Sequence, residues 1–284
     1  MNDFAIAGLQ LALSSGDNRE RIEHEVGVAM TRFPWLRMIV LPELASFGPA
    51  LGRAEPLPGP TEQRWQALAR KHAIWLVPGS LYEKEGERIY NTASAIDPDG
   101  TVVARYRKLY PFLPYETGVS PGSEVAVFDV AEVGRFGLSI CYDQWFPEVG
   151  RALAWKGAEV ILHPTLTGTI DRDQELVLAQ ANAIANQCYF IDINHAGALG
   201  NGRSILVGPE GDVLHRAGER NEIIPIRLDL ERVRRVRERG IKGLGQMLKS
   251  FRDTAVRWPC YNEVEAASPA LRALGPLTMP GRDA

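Results

Sequence analysis

Gly137-Leu138-Ser139-Ile140-Cys141-Tyr142-Asp143 is the stretch on which the reading of this chain turns. Strand-forming residues from Val133 to Ile140 run directly into a cysteine. Asp143, Pro147 and Glu148 follow, and then a helical pattern. A thiol at the end of a strand, just ahead of a helix, can be partly exposed and aimed into a cleft. Thiolate rather than thiol is the nucleophile, and a nearby cation or a placed base raises its share. A lone cysteine is more often a small buried apolar residue, so the chemistry has to be supported from elsewhere in the chain. The same stretch opens as Gly137-x-Ser139, the start of a GxSxG serine elbow. Cys141 stands where the second glycine is required, and that motif fails.

Outward from the cysteine, the pattern is that of an α/β layer protein. Towards the C-terminus, Pro147 and Gly157 bracket a helix in the usual order, proline at its start and glycine at its end. A buried strand follows over 159–163, then a helix over 171–186 with Leu176, Ala179, Gln180 and Ala183 at helical spacing. Strands are expected at 188–194, 203–207 and 223–228, with a turn at Pro209-Glu210-Gly211-Asp212 leading into Val213-Leu214. Towards the N-terminus, 125–130 and 133–140 read as paired strands, and Asp97-Pro98-Asp99-Gly100 turns between strands 89–96 and 101–107. The first part alternates: strand 4–13, helix through Ile22, Val26, Ala29, Met30 and Phe33, strand 38–41, helix through Trp65, Leu68, Ala69 and His72, strand 74–82. Asp17 with Glu20 has capping-box spacing, and Thr61 is the expected cap of the second helix. With no repeat and no low-complexity linker, a single domain over residues 1–240 is the economical reading, and 241–284 is an extension.

Composition narrows the function. Of 284 residues, 45% are hydrophobic and 24% charged, and the formal net charge is -3, so a sizeable core is expected and a nucleic-acid partner is not. The three cysteines (Cys141, Cys188 and Cys260) form no CxxC pair, which argues against a disulfide framework or structural zinc and for a reducing compartment. The sequence shows no basic leader and no apolar run of membrane-spanning length, so a cytoplasmic protein with no membrane partner is expected. The arginine-rich segment 230–240 interleaves Glu231 and Glu238 and reads as a solvated, ion-paired helix face. The apolar, irregular tail from Ser250 through Trp258-Pro259-Cys260-Tyr261 suggests docking on the body or on a second subunit.

Two further segments join the cysteine. Leu41-Pro42-Glu43-Leu44 puts a carboxylate just past a buried strand, where ligands of open α/β sheets bind. Tyr106-Arg107-Lys108 ends another strand, and an apolar, proline-rich loop carries Glu116 eight positions on. A base, a cation and a nucleophile thus sit at three separate strand ends.

Those pieces resemble the carbon–nitrogen hydrolase, or nitrilase-like, superfamily. The resemblance runs to about residue 230 through the Pro42-Glu43 corner, Arg107-Lys108 with its loop, and Ile140-Cys141-Tyr142-Asp143 with Phe146-Pro147-Glu148. Gly157-Ala158-Glu159, Asn186-Gln187-Cys188-Tyr189 and the Gly208-Pro209-Glu210-Gly211 turn extend it. It implies an αββα sandwich, with subunits pairing so that sandwiches stack. It also implies Glu43 as general base, Lys108 as cation, Cys141 as nucleophile and Glu116 as substrate-positioning, with no metal or cofactor. Tyr115, Trp145 and His163 are candidates for the pocket wall, with a satisfied structural histidine the equal reading of His163, and Tyr142 is placed to position the substrate through its backbone N–H at the oxyanion. Tyr142-Asp143 in place of Trp-Glu favours amides over nitriles. The Lys108-to-Glu116 loop is similar to aliphatic amidases and formamidases, while Asp143-Gln144-Trp145-Phe146-Pro147-Glu148 is similar to N-carbamoylputrescine amidases. The expectation is a hydrolase of small linear amides, with N-carbamoyl amines as the alternative; a nitrilase or a non-catalytic member of the fold are the remaining readings.

Overall fold

The structure, a computed structural model of the chain, describes residues 3–256 together with 258, 273 and 277. It opens with β1 (Asp3–Gln10), α1 (Arg19–Arg32), β2 (Met38–Val40), α2 (Pro60–His72) and β3 (Trp75–Val77). Five strands follow: β4 (Ser80–Glu85), β5 (Arg88–Ile96), β6 (Val102–Arg107), β7 (Ala126–Val130) and β8 (Gly134–Leu138). Alternation resumes with α3 (Pro147–Trp155), β9 (Val160–Thr165), α4 (Arg172–Asn186) and β10 (Tyr189–Asn194). The chain then runs through β11 (Ile205–Val207), β12 (Val213–Arg216), β13 (Glu222–Asp229), α5 (Leu230–Arg239) and α6 (Met247–Asp253).

Among the described residues the strands form two sheets. One has the order β13-β1-β2-β3-β5-β4 with β6 beside β5, the other β12-β11-β10-β9-β8-β7. Strands β1, β2 and β3 are parallel, as are β8, β9 and β10. Such strands are covered on both faces. In β2, Met38 and Val40 face the other sheet with Phe136, Leu138 and Leu162, whereas Ile39 faces Ile22, Val26, Trp65 and Leu68 of α1 and α2. In β9, Ile161 turns the opposite way, to Val149, Leu153, Leu176 and Ala179 of α3 and α4. The period-two alternation of strand side chains therefore builds three apolar layers, and the order helix, sheet, sheet, helix follows.

Several local expectations are corrected. The single strand over 74–82 is broken at Pro78-Gly79 into β3 and β4. Gly79 has φ 76°, and a Cβ there would come within 1.8 Å of the Pro42 carbonyl oxygen, so the two loops touch backbone to backbone. The Asp17–Glu20 capping box does not form: Asn18 is the N-cap residue, and Asp17 pairs with Arg19. Thr61 lies inside α2, after Gly59 and Pro60, and its N–H donates to Glu55. The α5 arginines are only partly a solvated face. Arg234 reaches Glu159 at 2.8 Å and the Val133 carbonyl at 2.7 Å, and Arg237 donates to the Gln187 carbonyl at 3.0 Å, so they clip α5 to the second sheet. Of the tail, α6 lays Phe251 against Trp155 of α3, with ring centroids 5.7 Å apart. Cys260 lies outside the described residues.

Candidate active site

Four connections at the carboxyl ends of strands converge. After β2 the chain turns at Pro42, and Leu44 takes a left-handed φ of 50°. Its N–H donates to Ser80 Oγ at 3.0 Å. His195 Nε2 lies 2.5 Å from the Glu43 carbonyl oxygen. A carbonyl only accepts, so Nε2 carries the proton, and burial keeps this ring neutral by pushing its pKa down to about 4. The corner is thereby held from both sides with the Glu43 side chain turned inward.

Lys108 follows β6. Its Nζ sits 3.0 Å from Glu43 Oε1 and 2.7 Å from Glu116 Oε2, and the side chain is 1% exposed. Glu116 Oε2 also accepts the Phe112 N–H at 2.5 Å, which closes the proline-rich loop on its own carboxylate.

Cys141 follows β8. Its φ is 46°, a left-handed conformation that costs a non-glycine residue on the order of 1 kcal/mol. It starts a short 3-10 turn, Cys141–Trp145, and so swings the thiol out of the sheet. Asp143 holds this elbow in place. It accepts the Ile140 N–H at 2.9 Å, the Tyr110 N–H at 3.0 Å and the Tyr106 hydroxyl at 2.6 Å, tying the cysteine elbow to the lysine loop. Thr167, beyond β9, places Oγ1 3.9 Å from Cys141 Sγ.

Electrostatics assign the resting protons. Burial raises the Glu43 pKa, Lys108 opposes that rise, Glu116 adds to it, and the neighbouring Cys141 thiol lowers it a little. Burial, then the Glu43 charge, push the thiol well above its ordinary range despite Lys108. For Lys108, burial acts downward, but Glu43, Cys141 and Glu116 outweigh it and hold the ammonium charged. The resting arrangement is a neutral thiol facing a basic carboxylate, next to a fixed cation.

The thiol opens onto a cavity of about 490 Å³. Phe112, Tyr115, Tyr142 and Trp145 form one wall; the segment 166–171 and Glu175 form the other. The structure thus brings Glu43, Lys108, Cys141 and Glu116 together, and it places Tyr115, Tyr142 and Trp145 on the cavity. His163 is not part of that lining. It is fully buried, its Nδ1 lies 2.7 Å from the buried Ser139 hydroxyl, and burial takes its pKa down to about 4. Cys188 is buried between α4 and the second sheet. No cluster of His, Cys, Asp and Glu among the described residues is arranged to hold a metal ion.

Sequence reasoning missed Asn91, Thr167 and Glu175. Asn91 Nδ2 donates to Glu43 Oε1 at 2.8 Å and lies 3.3 Å from Glu116 Oε1. Thr167 had the same signal as Glu43 and Cys141, a polar residue just past a buried strand. Asn91 sits inside β5 and carried no such signal.

A thiol, a carboxylate and an ammonium gathered at the strand ends of a helix-flanked double sheet form the arrangement that enzymes with a nucleophilic cysteine use. The chain belongs to the carbon-nitrogen hydrolase family, whose model matches residues 5–238. It is similar to the omega-amidase NIT2 of Homo sapiens, at 30% identity over 84% of this chain and 93% of that one. It is also similar to the N-carbamoylputrescine amidase of Solanum lycopersicum, at 33% identity over 64% of this chain and 69% of the relative. Among solved structures, a variant amidase from Nesterenkonia sp. AN1 superposes with a TM-score of 0.73 at 26% identity, covering 81% of this chain and 92% of its own. Its active-site cysteine carries the acetamide moiety of fluoroacetamide.

Proposed function

We propose that this protein hydrolyses the C–N bond of small linear amides, giving carboxylate and ammonia through a thioester on Cys141. The observation that carries the reading is the buried Lys108 ammonium, held 3.0 Å from the Glu43 carboxylate and 2.7 Å from Glu116, beside the Cys141 thiol that opens on the cavity. Glu43 takes the thiol proton as sulfur attacks the carbonyl carbon. Lys108 Nζ and the Tyr142 backbone N–H hold the oxyanion that forms; one such donor contributes about 3 kcal/mol. The intermediate collapses as Glu43 returns its proton to the departing nitrogen, and ammonia leaves. Water then enters, gives a proton to Glu43 and attacks the thioester. The carboxylate product departs, and the proton returns to sulfur. Glu116 and Asn91 keep Lys108 and Glu43 in register throughout.

Hydrolysis of N-carbamoyl amines is the second reading, supported by the similarity to the tomato enzyme and by Asp143-Gln144-Trp145-Phe146-Pro147-Glu148. Residues 1–240 are read as the catalytic unit and 241–284 as its extension. Homo-oligomer formation is supported by the exposed Trp155 and Val177 on the outer helical face. Among the described residues no helix is long and apolar enough to cross a membrane; a cytoplasmic location is part of the same reading and rests on the cysteine usage.

The test is ammonia release from a panel of small amides, N-carbamoyl amines and nitriles, with intact-mass detection of the acyl-enzyme. Cys141→Ala is expected to lower kcat by at least about 10⁴-fold while keeping the fold. Unchanged ammonia release by that variant removes Cys141 from the mechanism.

A further inference from the structure

We propose that the cavity selects amides whose far end is cationic, an ammonium-tailed amide or carbamoyl amine, and that Glu175 and Asp171 read that charge. The inference rests on the amidase reading above and names its substrate class.

Among the described residues no Lys, Arg or His lines the cavity. Two buried cations paired with acids of the site, Lys108 and Arg172, are already committed. Lys108 is shared between Glu43 and Glu116. Arg172 lies fully buried behind Glu175, and it is shared between Glu175 at 3.0 Å and Asp192 at 2.8 Å, with the Arg203 carbonyl at 2.9 Å. Each cation therefore stands between two carboxylates, and each cluster is left with surplus negative charge when its acids are ionised. Burial and the Asp192 charge push the Glu175 carboxyl up to about 6, even with Arg172 beside it.

Among the described residues, the feature that favours an anion is the N-terminus of α4, whose Asp171 and Glu175 line the same cavity. Its first turn already holds Asp173 and Glu175, and Asp171 is its cap residue, so its positive end is matched from within the chain. A carboxylate-tailed amide would enter a cavity lined by acidic groups and, among the described residues, by no cation. An ammonium tail meets the opposite: the Glu175 and Asp171 carboxylates, and the aromatic side chains of Phe112, Tyr115, Tyr142 and Trp145 in the same lining. Glu175 Oε1 accepts the Thr167 hydroxyl at 3.1 Å, and that oxygen lies 3.9 Å from the cysteine sulfur. The charge reader is one hydroxyl away from the nucleophile, so the tail it reads is a few methylenes long.

The experiment compares kcat/KM at low and high salt for three primary amides of equal length: an ω-amino amide, the n-alkyl amide and the dicarboxylic monoamide. At low salt the amino amide is expected to exceed the alkyl amide by about tenfold and the carboxylate by about a hundredfold, with both gaps narrowing at high salt. In Glu175→Gln, which keeps hydrogen-bonding atoms for Thr167 and Arg172, the amino-to-alkyl ratio falls several-fold. Asp171→Asn, which does not touch the buried arginine, lowers the same ratio and guards against a folding artefact. Equal rates for the three amides, a preference for the carboxylate, or a ratio unmoved in both variants overturns the charge assignment alone. No hydrolysis of any of the three removes the amidase reading and this inference with it.

Discussion

The Asn91 amide nitrogen donates to the Glu43 carboxylate at 2.8 Å from the interior of β5, and the Asn91 main-chain carbonyl accepts the Lys108 backbone N–H at 2.8 Å. The same Asn91 amide nitrogen lies 3.3 Å from Glu116, so one amide spans the two acids that flank Lys108. Both acids would repel one another if left to themselves. A neutral donor between them fixes their spacing without adding a charge.

Asn91→Ala is accordingly expected to lower kcat/KM by about 10²-fold, as misplaced catalytic groups do. It is also expected to lower stability by about 1–3 kcal/mol, since buried acceptors lose their donor. Steady-state kinetics and denaturant unfolding measure the two effects separately. A folded variant with wild-type kinetics would show that Lys108 alone sets the geometry.

The pH profile follows from the resting protons. Burial raises the Glu43 pKa above the ordinary 4.5 of a glutamate. The base must be ionised to accept the thiol proton, so kcat/KM falls as pH drops through that raised value, and the acid limb lies above pH 4.5. The thiol titrates well above its ordinary 9.0, which keeps the alkaline side of the profile flat below that pH. An acid limb at or below the ordinary glutamate value would count against Glu43 as the base.

Tyr106 donates to Asp143 at 2.6 Å, and burial still pushes that carboxyl up from 3.8 to about 6. A raised pKa favours the neutral acid in the folded state. Its contribution to stability is full below pH 3.8 and is lost as pH rises through about 6. Tyr106→Phe removes a donor to the ionised form. The expected loss of stability is about 1–3 kcal/mol at roughly pH 8 and smaller at roughly pH 5. Urea unfolding at the two pH values tests this; an equal loss at both would mean Asp143 does not ionise in the fold.

The two-sheet architecture was legible because its strands are short apolar runs and its helices carry an apolar stripe, patterns that survive without knowledge of neighbours. β2 and β9 are examples. The break at Gly79 was not legible, because it arises from contact with the Pro42 backbone across the sheet. The cap of α1 moved from Asp17 to Asn18 for a similar reason: Asn18 is held by the Ser46 and Ala45 carbonyls of a distant loop. In the site, Glu43, Lys108, Glu116 and Cys141 each stood in a recognisable segment. Asn91 and Glu175 gained their positions only through strand pairing and helix placement.

Taken alone, then, the order of residues determined which groups stand at strand ends, since hydrophobic period and punctuation are properties of neighbours along the chain. What only the tertiary structure decided is how those groups share charge: one ammonium between Glu43 and Glu116, one guanidinium between Glu175 and Asp192. Electrostatic balance depends on distance and burial in space, and residues far apart in sequence acquire both only when the sheets pack.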